Sequence, residues 1–252
     1  MSESTQVQKE IQGHSGQVII RPMCWHDVDQ IVDEFNRTWG EGETVSTDIA
    51  ELNARHFVLH YLIGTSRARI AELDGRFMGV TLLAMGGQPL LFESAQSSLE
   101  AVDAQLEVTP EGQQNLSRMI FWQRLEDEAE AESDVLNYAQ AELKLFLVSA
   151  DARGHGVGAL LWKDMLSYLQ EQGANAFFLH TDSSCDVSYY DHIGMDCVAS
   201  RMGADHPDER SQRGDFYDDI FIYAANLSQQ IERWGMQDKQ EQLPTGVSRG
   251  TN

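Results

Sequence analysis

The strongest constraint on this chain is a glycine-rich run that lies between a strand pattern and a helix pattern. Residues 141–148 predict a strand, residues 153–158 read Arg-Gly-His-Gly-Val-Gly, and a helix pattern continues to Glu171. A second strand is predicted at residues 176–180, so the unit is a strand-helix-strand crossover, which implies parallel pairing. A glycine-rich turn before a helix presents several backbone N–H groups to one small volume. The run therefore indicates a phosphate-binding site.

Composition excludes several classes of function. The chain has 252 residues and a formal net charge of −22, with 18 basic residues, so a nucleic-acid partner is not expected. No apolar run approaches the roughly 20 residues that a membrane span needs, and the polar start lacks a signal-peptide pattern. Cys24, Cys185 and Cys197 have no paired spacing, which suits a reducing compartment. We expect a cytoplasmic protein that contacts neither membrane nor nucleic acid.

The remaining pattern predicts one mixed domain at residues 17–226, preceded by a polar extension (1–16) and followed by a polar tail (227–252). Strands are expected at residues 17–21, 68–73, 77–83, 197–201 and 216–224, and helices at residues 27–38, 47–62 and 187–192. The dipeptide Asp74-Gly75 predicts a tight hairpin turn. Residues 88–137 are polar and are interpreted as an insertion or interaction segment, with a helix near residues 115–134. The acidic run of that helix, residues 126–132, suits either a solvated helix face or a wall that attracts a cationic amine acceptor. The tail is expected to be helical to Trp234 and disordered from Gln237.

A second motif turns these elements into a family resemblance. Residues 189–195 read Tyr-Tyr-Asp-His-Ile-Gly-Met, and a weaker match consists of Ile20-Arg21-Pro22 followed by Asp27. With the glycine-rich run and the order of elements, the chain resembles the GNAT N-acetyltransferase superfamily over residues 17–226, with residues 88–137 outside the resemblance. The resemblance implies an α/β (α+β) fold. Its sheet would be twisted, mixed and mostly antiparallel, with six to seven strands, flanking helices and a splayed parallel pair at the cofactor site.

The resemblance also implies a donor, acetyl-CoA or a related acyl-CoA, and the residues that bind it. The pyrophosphate would accept hydrogen bonds from the backbone of the glycine-rich turn, and the pantetheine arm would lie beside the preceding strand. Ser183 stands where many relatives have Asn, and Asp186 stands where many have Ala. The implied cofactor-binding residues are Phe146, Leu147, Val148, Arg153, Gly154, His155, Gly156, Val157, Gly158, Ala159 and Ser183.

Two residues are expected to be catalytic. Tyr190 matches the family position near the sulfur, where a protonated phenol can donate to the leaving thiolate. Glu142, at the start of the strand beside the donor, would accept the proton of the amine. Each has a structural alternative, because Tyr190 also suits a packed core and Glu142 a paired carboxylate at a strand end.

The sequence favours an N-acyltransferase that acetylates a primary amine by direct attack in a ternary complex. A non-catalytic acyl-CoA-binding regulatory module and an O- or thiol-acyltransferase remain open alternatives.

No metal is expected, because His56 and His60 lack the Glu of a zinc-peptidase motif. His180 and His192 are interpreted as ordinary hydrogen-bonded histidines, and Cys185 as unreactive. The acceptor is expected to be a small cationic amine or a basic peptide. A homodimer is plausible if Ile120, Phe121, Trp122 and Leu125 face outward.

Overall fold

One mixed sheet organises the molecule. The computed structural model describes residues 16–40, 45–209 and 217–237. Within these ranges seven strands pair in the order β1-β2-β3-β4-β5-β7-β6, and the sheet is antiparallel except where β4 meets β5. The strands are β1 Val18–Pro22, β2 Arg67–Leu73, β3 Arg76–Met85, β4 Ala141–Val148, β5 Ala176–Asp182, β6 Asp196–Arg201 and β7 Ile220–Asn226. The predicted fold class and the parallel pair are confirmed.

Helices cover both faces of the sheet. They are α1 Val28–Trp39, α2 Thr47–Leu62, α3 Ala95–Leu106, α4 Pro110–Glu132, α5 Val157–Glu171, α6 Ser188–His192 and α7 Leu227–Arg233. Trp162 of α5 packs with Phe177 and Leu179 of β5, whereas Phe178 between them packs with Leu125 of α4. Because successive strand residues point to opposite faces, α5 and α4 lie on opposite sides of β5.

The first strand is tied to the start of the first helix by a partly buried ion pair. Arg21 Nη2 lies 2.7 Å from Asp27 Oδ1 and 2.6 Å from Glu72 Oε1, and Asp27 also accepts a 2.7 Å hydrogen bond from the Cys24 N–H. The hydrogen bond from Arg21 lowers the pKa of Asp27, although its burial acts in the opposite direction. The weaker motif match therefore marks a structural junction. The predicted hairpin turn is also present, with φ of 53° at Asp74 and 74° at Gly75.

The pairing of β4 with β5 is brief. The two strands are in register only at Ala141 with Phe177 and Glu142 with Phe178, although β4 continues along β3 to Val148. The β3–β4 register also shifts, because Leu82 pairs with Leu145 but Leu83 pairs with Leu143. The extra residue in β4 is Lys144. This bulge bends β4 and re-aims its side chains, so a gap opens between β4 and β5 beyond it.

The segment predicted to be an insertion contains two helices rather than one. The helix α4 begins earlier than expected, and α3 was not predicted, although Leu99, Val102 and Leu106 bury one of its faces. The apolar outward face suggested for a dimer is absent from α4. Leu125 is fully buried, Phe121 and Trp122 pack against Tyr217, and Ile120 alone of the four is exposed.

The chain continues in the core beyond the predicted domain boundary at residue 226. Leu227 and Ile231 of α7 are buried beside α5, and the Trp234 ring lies 6.4 Å from that of Trp162. The predicted disorder from Gln237 onward falls almost entirely outside the described residues, as does most of the polar extension. Among the described helices, none combines the length and apolar character that crossing a bilayer requires.

Candidate functional site

The glycine-rich turn leaves a row of main-chain donors without acceptors. Gly154 and Gly156 have φ of 80° and 67°, in the left-handed region that favours glycine, and Gly156 is the N-cap of α5. In the described residues no acceptor is bonded to the N–H groups of Gly154, Gly156, Val157, Gly158 and Ala159. The His155 N–H differs, because it donates to the Ala152 carbonyl at 3.1 Å. Five of the six predicted N–H donors are thus available to an anion.

Local charges favour an anion at this turn despite the net charge of the chain. Arg153 is exposed, and its side chain makes no ion pair within the described residues. The nearby carboxylate of Asp151 lies 3.3 Å from Arg37 Nη1 and 3.5 Å from Arg76 Nη2. The N-terminus of α5 adds the positive end of its dipole. The turn therefore fits a phosphate group electrostatically and sterically.

The second half of β4 offers main-chain groups to the gap beside it. The Ser149 N–H donates to the Met78 carbonyl, so these two residues form a hydrogen-bonded antiparallel pair. Hydrogen-bonded and non-hydrogen-bonded pairs alternate along an antiparallel ladder. Val148, which pairs with Gly79, is in the next pair, so its main-chain N–H and C=O point away from β3 and into the gap. The same alternation points the N–H and C=O of Phe146 into the gap. The Leu147 side chain is buried in the core, so its contribution is structural.

A pocket of about 340 Å³ lies on the opposite side of the sheet from α5. Its wall is formed by α1, α2, α4, α6, β4 and β5. The aromatic rings that line it belong to Phe35, Trp39, Phe57, Tyr61, Trp122, Phe146 and Tyr190. Five carboxylates also line it, from Glu126, Asp127, Glu130, Glu142 and Asp182, against the basic side chains of Lys144 and Arg118 and the imidazoles of His60 and His180. The pocket is acidic and aromatic, and such a lining binds organic cations.

Tyr190 brings the second motif to this pocket. The ring centroid of Tyr190 lies 5.4 Å from that of Tyr223 and 5.5 Å from that of Tyr189. Burial raises the pKa of Tyr190 well above its ordinary value near 10, so its phenol stays protonated at neutral pH. The hydroxyl makes no hydrogen bond within the described residues, which leaves it free to donate to a ligand.

Glu142 also lines the pocket, but its carboxylate is already paired. Lys144 Nζ lies 3.0 Å from Glu142 Oε2 and 3.2 Å from Oε1. On the neighbouring strand, His180 Nε2 lies 2.9 Å from Glu130 Oε2. Ligand atoms of Glu130, Glu142 and His180 all lie within 4.8 Å of one another, and the ammonium of Lys144 supplies positive charge there. Glu142 therefore fits part of each interpretation from the sequence: it is a paired carboxylate, and it lies inside a candidate active site.

The pocket shifts the protonation of several groups. Burial raises the pKa of Glu126 to about 7, and burial together with the charge of Lys144 lowers the pKa of His60 to about 4. Burial also raises the pKa of Asp182 and of the Cys185 thiol, which agrees with the unreactive cysteine expected from the sequence. Titratable groups with opposed shifts in one cavity are typical of an active site.

Ser183, predicted to bind the cofactor, and His56 do not line the pocket. The Ser183 hydroxyl donates to Asp218 Oδ1 at 2.9 Å and accepts from the Asp219 N–H at 3.1 Å, so it fastens β5 to the segment before β7. His56 is buried, with Nδ1 2.6 Å from Asp103 and Nε2 3.0 Å from Gln123. Both of its ring nitrogens thus have partners other than His60.

The sequence interpretation left the acidic run of α4 as either a solvated helix face or a wall that attracts a cationic amine, and three of its carboxylates line the pocket. Glu126 and Glu130 were recognised as part of an acidic run, and their spacing of four residues places both on one helix face. That spacing was the available signal. It did not show that the face meets β5, where His180 binds Glu130 and lines the pocket as well.

Comparison with known proteins agrees with this geometry. Residues 117–195 match the profile of the acetyltransferase (GNAT) family, a span that contains both motifs and begins inside the segment predicted to be an insertion. The sequence has no match among curated proteins.

Two solved structures are similar to this chain. Arylalkylamine N-acetyltransferase 2 from Aedes aegypti superposes with a TM-score of 0.52 at 15% identity, covering 83% of this chain and 99% of the other. The ribosomal-protein-S18-alanine N-acetyltransferase from Escherichia coli superposes with a TM-score of 0.47 at 12% identity, covering 84% and 94%. The mosquito protein shows a shared fold, and the resemblance inferred from the motifs is confirmed.

Proposed function

We propose that this chain, which carries the GNAT acetyltransferase fold, transfers an acetyl group from acetyl-CoA or a related acyl-CoA to a primary amine. One observation carries the proposal. The gap between β4 and β5 has unpaired main-chain donors beside a phosphate-binding turn, and an acidic pocket with Tyr190 lies next to it. A donor site and an acceptor site therefore share one strand, β4.

The donor side suits a nucleotide-linked thioester. The pyrophosphate would accept hydrogen bonds from the free N–H groups between Gly154 and Ala159, with Arg153 adding charge. Hydrogen bonds to charged groups contribute about 1.5–3 kcal/mol each. The amides of the pantetheine arm would pair with the main chain of Phe146 and Val148 in the gap.

The reaction needs an attacking amine, an oxyanion donor and a general acid. The amine nitrogen attacks the carbonyl carbon of the thioester while the Val148 N–H stabilises the developing oxyanion. The C–S bond then breaks, and the thiolate takes a proton from the Tyr190 hydroxyl. The amine gives up its proton to a carboxylate of the pocket, and the Tyr190 phenolate regains a proton from solvent, so the products are an amide and free CoA.

The pocket favours a cationic acceptor. Its five carboxylates outnumber its two fully basic side chains, and its aromatic walls suit the alkyl or aryl part of a small amine or of a basic peptide. We propose an acceptor of this class, bound as an ammonium ion and deprotonated inside the pocket.

Two measurements test the proposal. Isothermal titration with acetyl-CoA should show saturable binding, and a panel of primary amines should release free CoA in a thiol assay. Absence of binding at high micromolar acetyl-CoA would rule out the donor. Binding without CoA release across the whole panel would instead favour a non-catalytic acyl-CoA-binding module.

A further inference from the structure

We infer that Glu126 of α4 is the general base that accepts the proton of the amine. The inference rests on the proposed function and replaces Glu142 in that role. It places a catalytic group on a helix between β3 and β4, outside the strands that hold the donor.

The argument begins with the partners of the pocket carboxylates. Glu142 is held by Lys144, Glu130 is held by His180, and Asp182 accepts a 2.8 Å hydrogen bond from the Ser184 N–H and another from its hydroxyl. Asp127 is exposed. Glu126 is half-buried, and its carboxylate makes no hydrogen bond or ion pair within the described residues. It is the half-buried pocket carboxylate that remains free to bind an ammonium ion.

The surroundings of Glu126 come from three other elements. The charged or titratable groups that face it are Tyr61 of α2, Glu142 and Lys144 of β4, His180 and Asp182 of β5, and Glu130 on its own helix. An ammonium ion beside Glu142 would meet the charge of Lys144 about a hydrogen-bond length away. Beside Glu126 it would meet an unpaired carboxylate, so the amine is attracted to the side of the pocket formed by α4.

The protonation state of Glu126 suits the same role. Burial raises its pKa to about 7, with the charges of His180 and Lys144 acting against the rise. A general base works best when its pKa lies near the operating pH, because it is then both available and basic. In the balanced step a carboxylate oxygen of Glu126 first takes one proton from the bound ammonium ion and passes it to solvent. The neutral amine nitrogen then forms its bond to the acetyl carbon, and the C–S bond breaks as Tyr190 protonates the thiolate. The second proton of the nitrogen leaves through Glu126, and the Tyr190 phenolate regains a proton from solvent.

The test compares isosteric variants of three acidic residues. Glu126→Gln should lower kcat by about 10² to 10³, the range for loss of a general base, while acetyl-CoA affinity stays unchanged. Glu128→Gln, at an exposed residue of the same helix that does not line the pocket, is the matched control and should keep full activity. Glu126→Asp should recover part of the lost kcat because it restores a carboxylate.

A pH profile gives the diagnostic readout. A base must be ionised, so kcat/KM of the wild type should fall as pH decreases through about 7. Glu126→Gln should lack that limb, and ¹³C NMR of the glutamate carboxyl groups should lose a titration near pH 7. Full activity in Glu126→Gln, or a loss confined to Glu142→Gln, overturns the inference and leaves the proposed function standing. A wild-type chain that binds acetyl-CoA and acetylates no amine overturns both.

Discussion

The sites proposed on the two sides of β4 would recognise their ligands by different means. On the α5 side, the proposed donor site consists of main-chain N–H groups in a glycine turn and along the edge of β4 that β5 leaves unpaired. On the other side, the proposed acceptor pocket consists of side chains contributed by α1, α2, α4, α6, β4 and β5. A main-chain site is specific for a shared chemical group, here a phosphate or an amide. A side-chain site is specific for one molecule, and it can change without disturbing the first.

Tyr190 lies where the two sides meet, and removal of its hydroxyl should cause the largest loss of activity. Tyr190→Phe should lower kcat by about 10- to 1,000-fold, because the leaving thiolate loses its proton donor. Binding should be spared, so the Kd of acetyl-CoA and the KM of the amine should each stay within about twofold of wild type. Steady-state kinetics and calorimetry on one preparation separate the two effects.

Tyr189→Phe is the control for that change, because the Tyr189 ring stacks on Phe146 at 6.4 Å and has no assigned role in proton transfer. It should keep nearly full turnover. Equal losses in both variants would indicate packing rather than acid catalysis. The buried phenol of Tyr190 has a raised pKa, so wild-type kcat should show no decline from this group below pH 10.

The next largest effect should fall on the donor side alone. Gly156→Ala places a side chain on a residue with φ of 67°, where an L residue costs about 1–2 kcal/mol. If the backbone relaxes, its N–H groups turn away from the phosphate, and each lost charge-assisted bond contributes about 1.5–3 kcal/mol. Acetyl-CoA affinity should therefore fall by about 10- to 100-fold, with an unchanged amine KM at saturating donor.

The same helix provides a matched control for backbone strain. Gly173 follows the other end of α5 with φ of 72°, and an added Cβ would meet no atom within 4 Å at either glycine. Gly173→Ala should lower the melting temperature as much as Gly156→Ala while leaving acetyl-CoA affinity intact. Equal losses of affinity in the two variants would mean that strain, rather than lost hydrogen bonds, weakens the donor site.

The contrast between the sites also explains which features were visible in the sequence. The phosphate turn occupies six consecutive residues, 153–158, and its glycines report backbone conformations that other residues rarely adopt. The hairpin at Asp74-Gly75 was predictable for the same reason. Strand β4 was predicted with its observed ends, because the turn that follows it fixed its position in the unit.

The acceptor site depends on contacts that no local pattern encodes. The bulge at Lys144 interrupts the alternation of β4, and it is visible only in the register with β3. Likewise, Glu126 and His180 are 54 residues apart and lie near one another only because α4 packs on β5. Ser183 was assigned by position in a motif, and that motif does not describe the loop across which its hydroxyl donates to Asp218.

The smallest effect should appear on the acceptor side, where it depends on pH. Burial alone would lower the pKa of His180, but the hydrogen bond to Glu130 and the charges of Glu142 and Glu126 raise it. A histidine with a raised folded-state pKa stabilises the fold fully below its unfolded pKa of about 6.5 and loses that contribution as pH rises through the folded value. Glu130→Gln should thus be less stable than wild type by about 1–2 kcal/mol near pH 5.5, with a shrinking difference at higher pH.

Urea unfolding of the wild type and of Glu130→Gln at pH 5.5, 7 and 9 measures that difference in stability. In Glu130→Gln the KM of a cationic amine should rise only about two- to fivefold, because other carboxylates remain in the pocket. Glu128→Gln is the control, since Glu128 is exposed and pairs with Arg124 at 3.4 Å on the same helix. It should change stability by less than about 0.5 kcal/mol at every pH. A loss in Glu130→Gln that is equal at all three pH values would show that its carboxylate acts through packing and not through the charge of His180. The contact between His180 and Glu130 would then make no pH-dependent contribution to stability. The pH dependence of the reaction would be attributed to Glu126 alone.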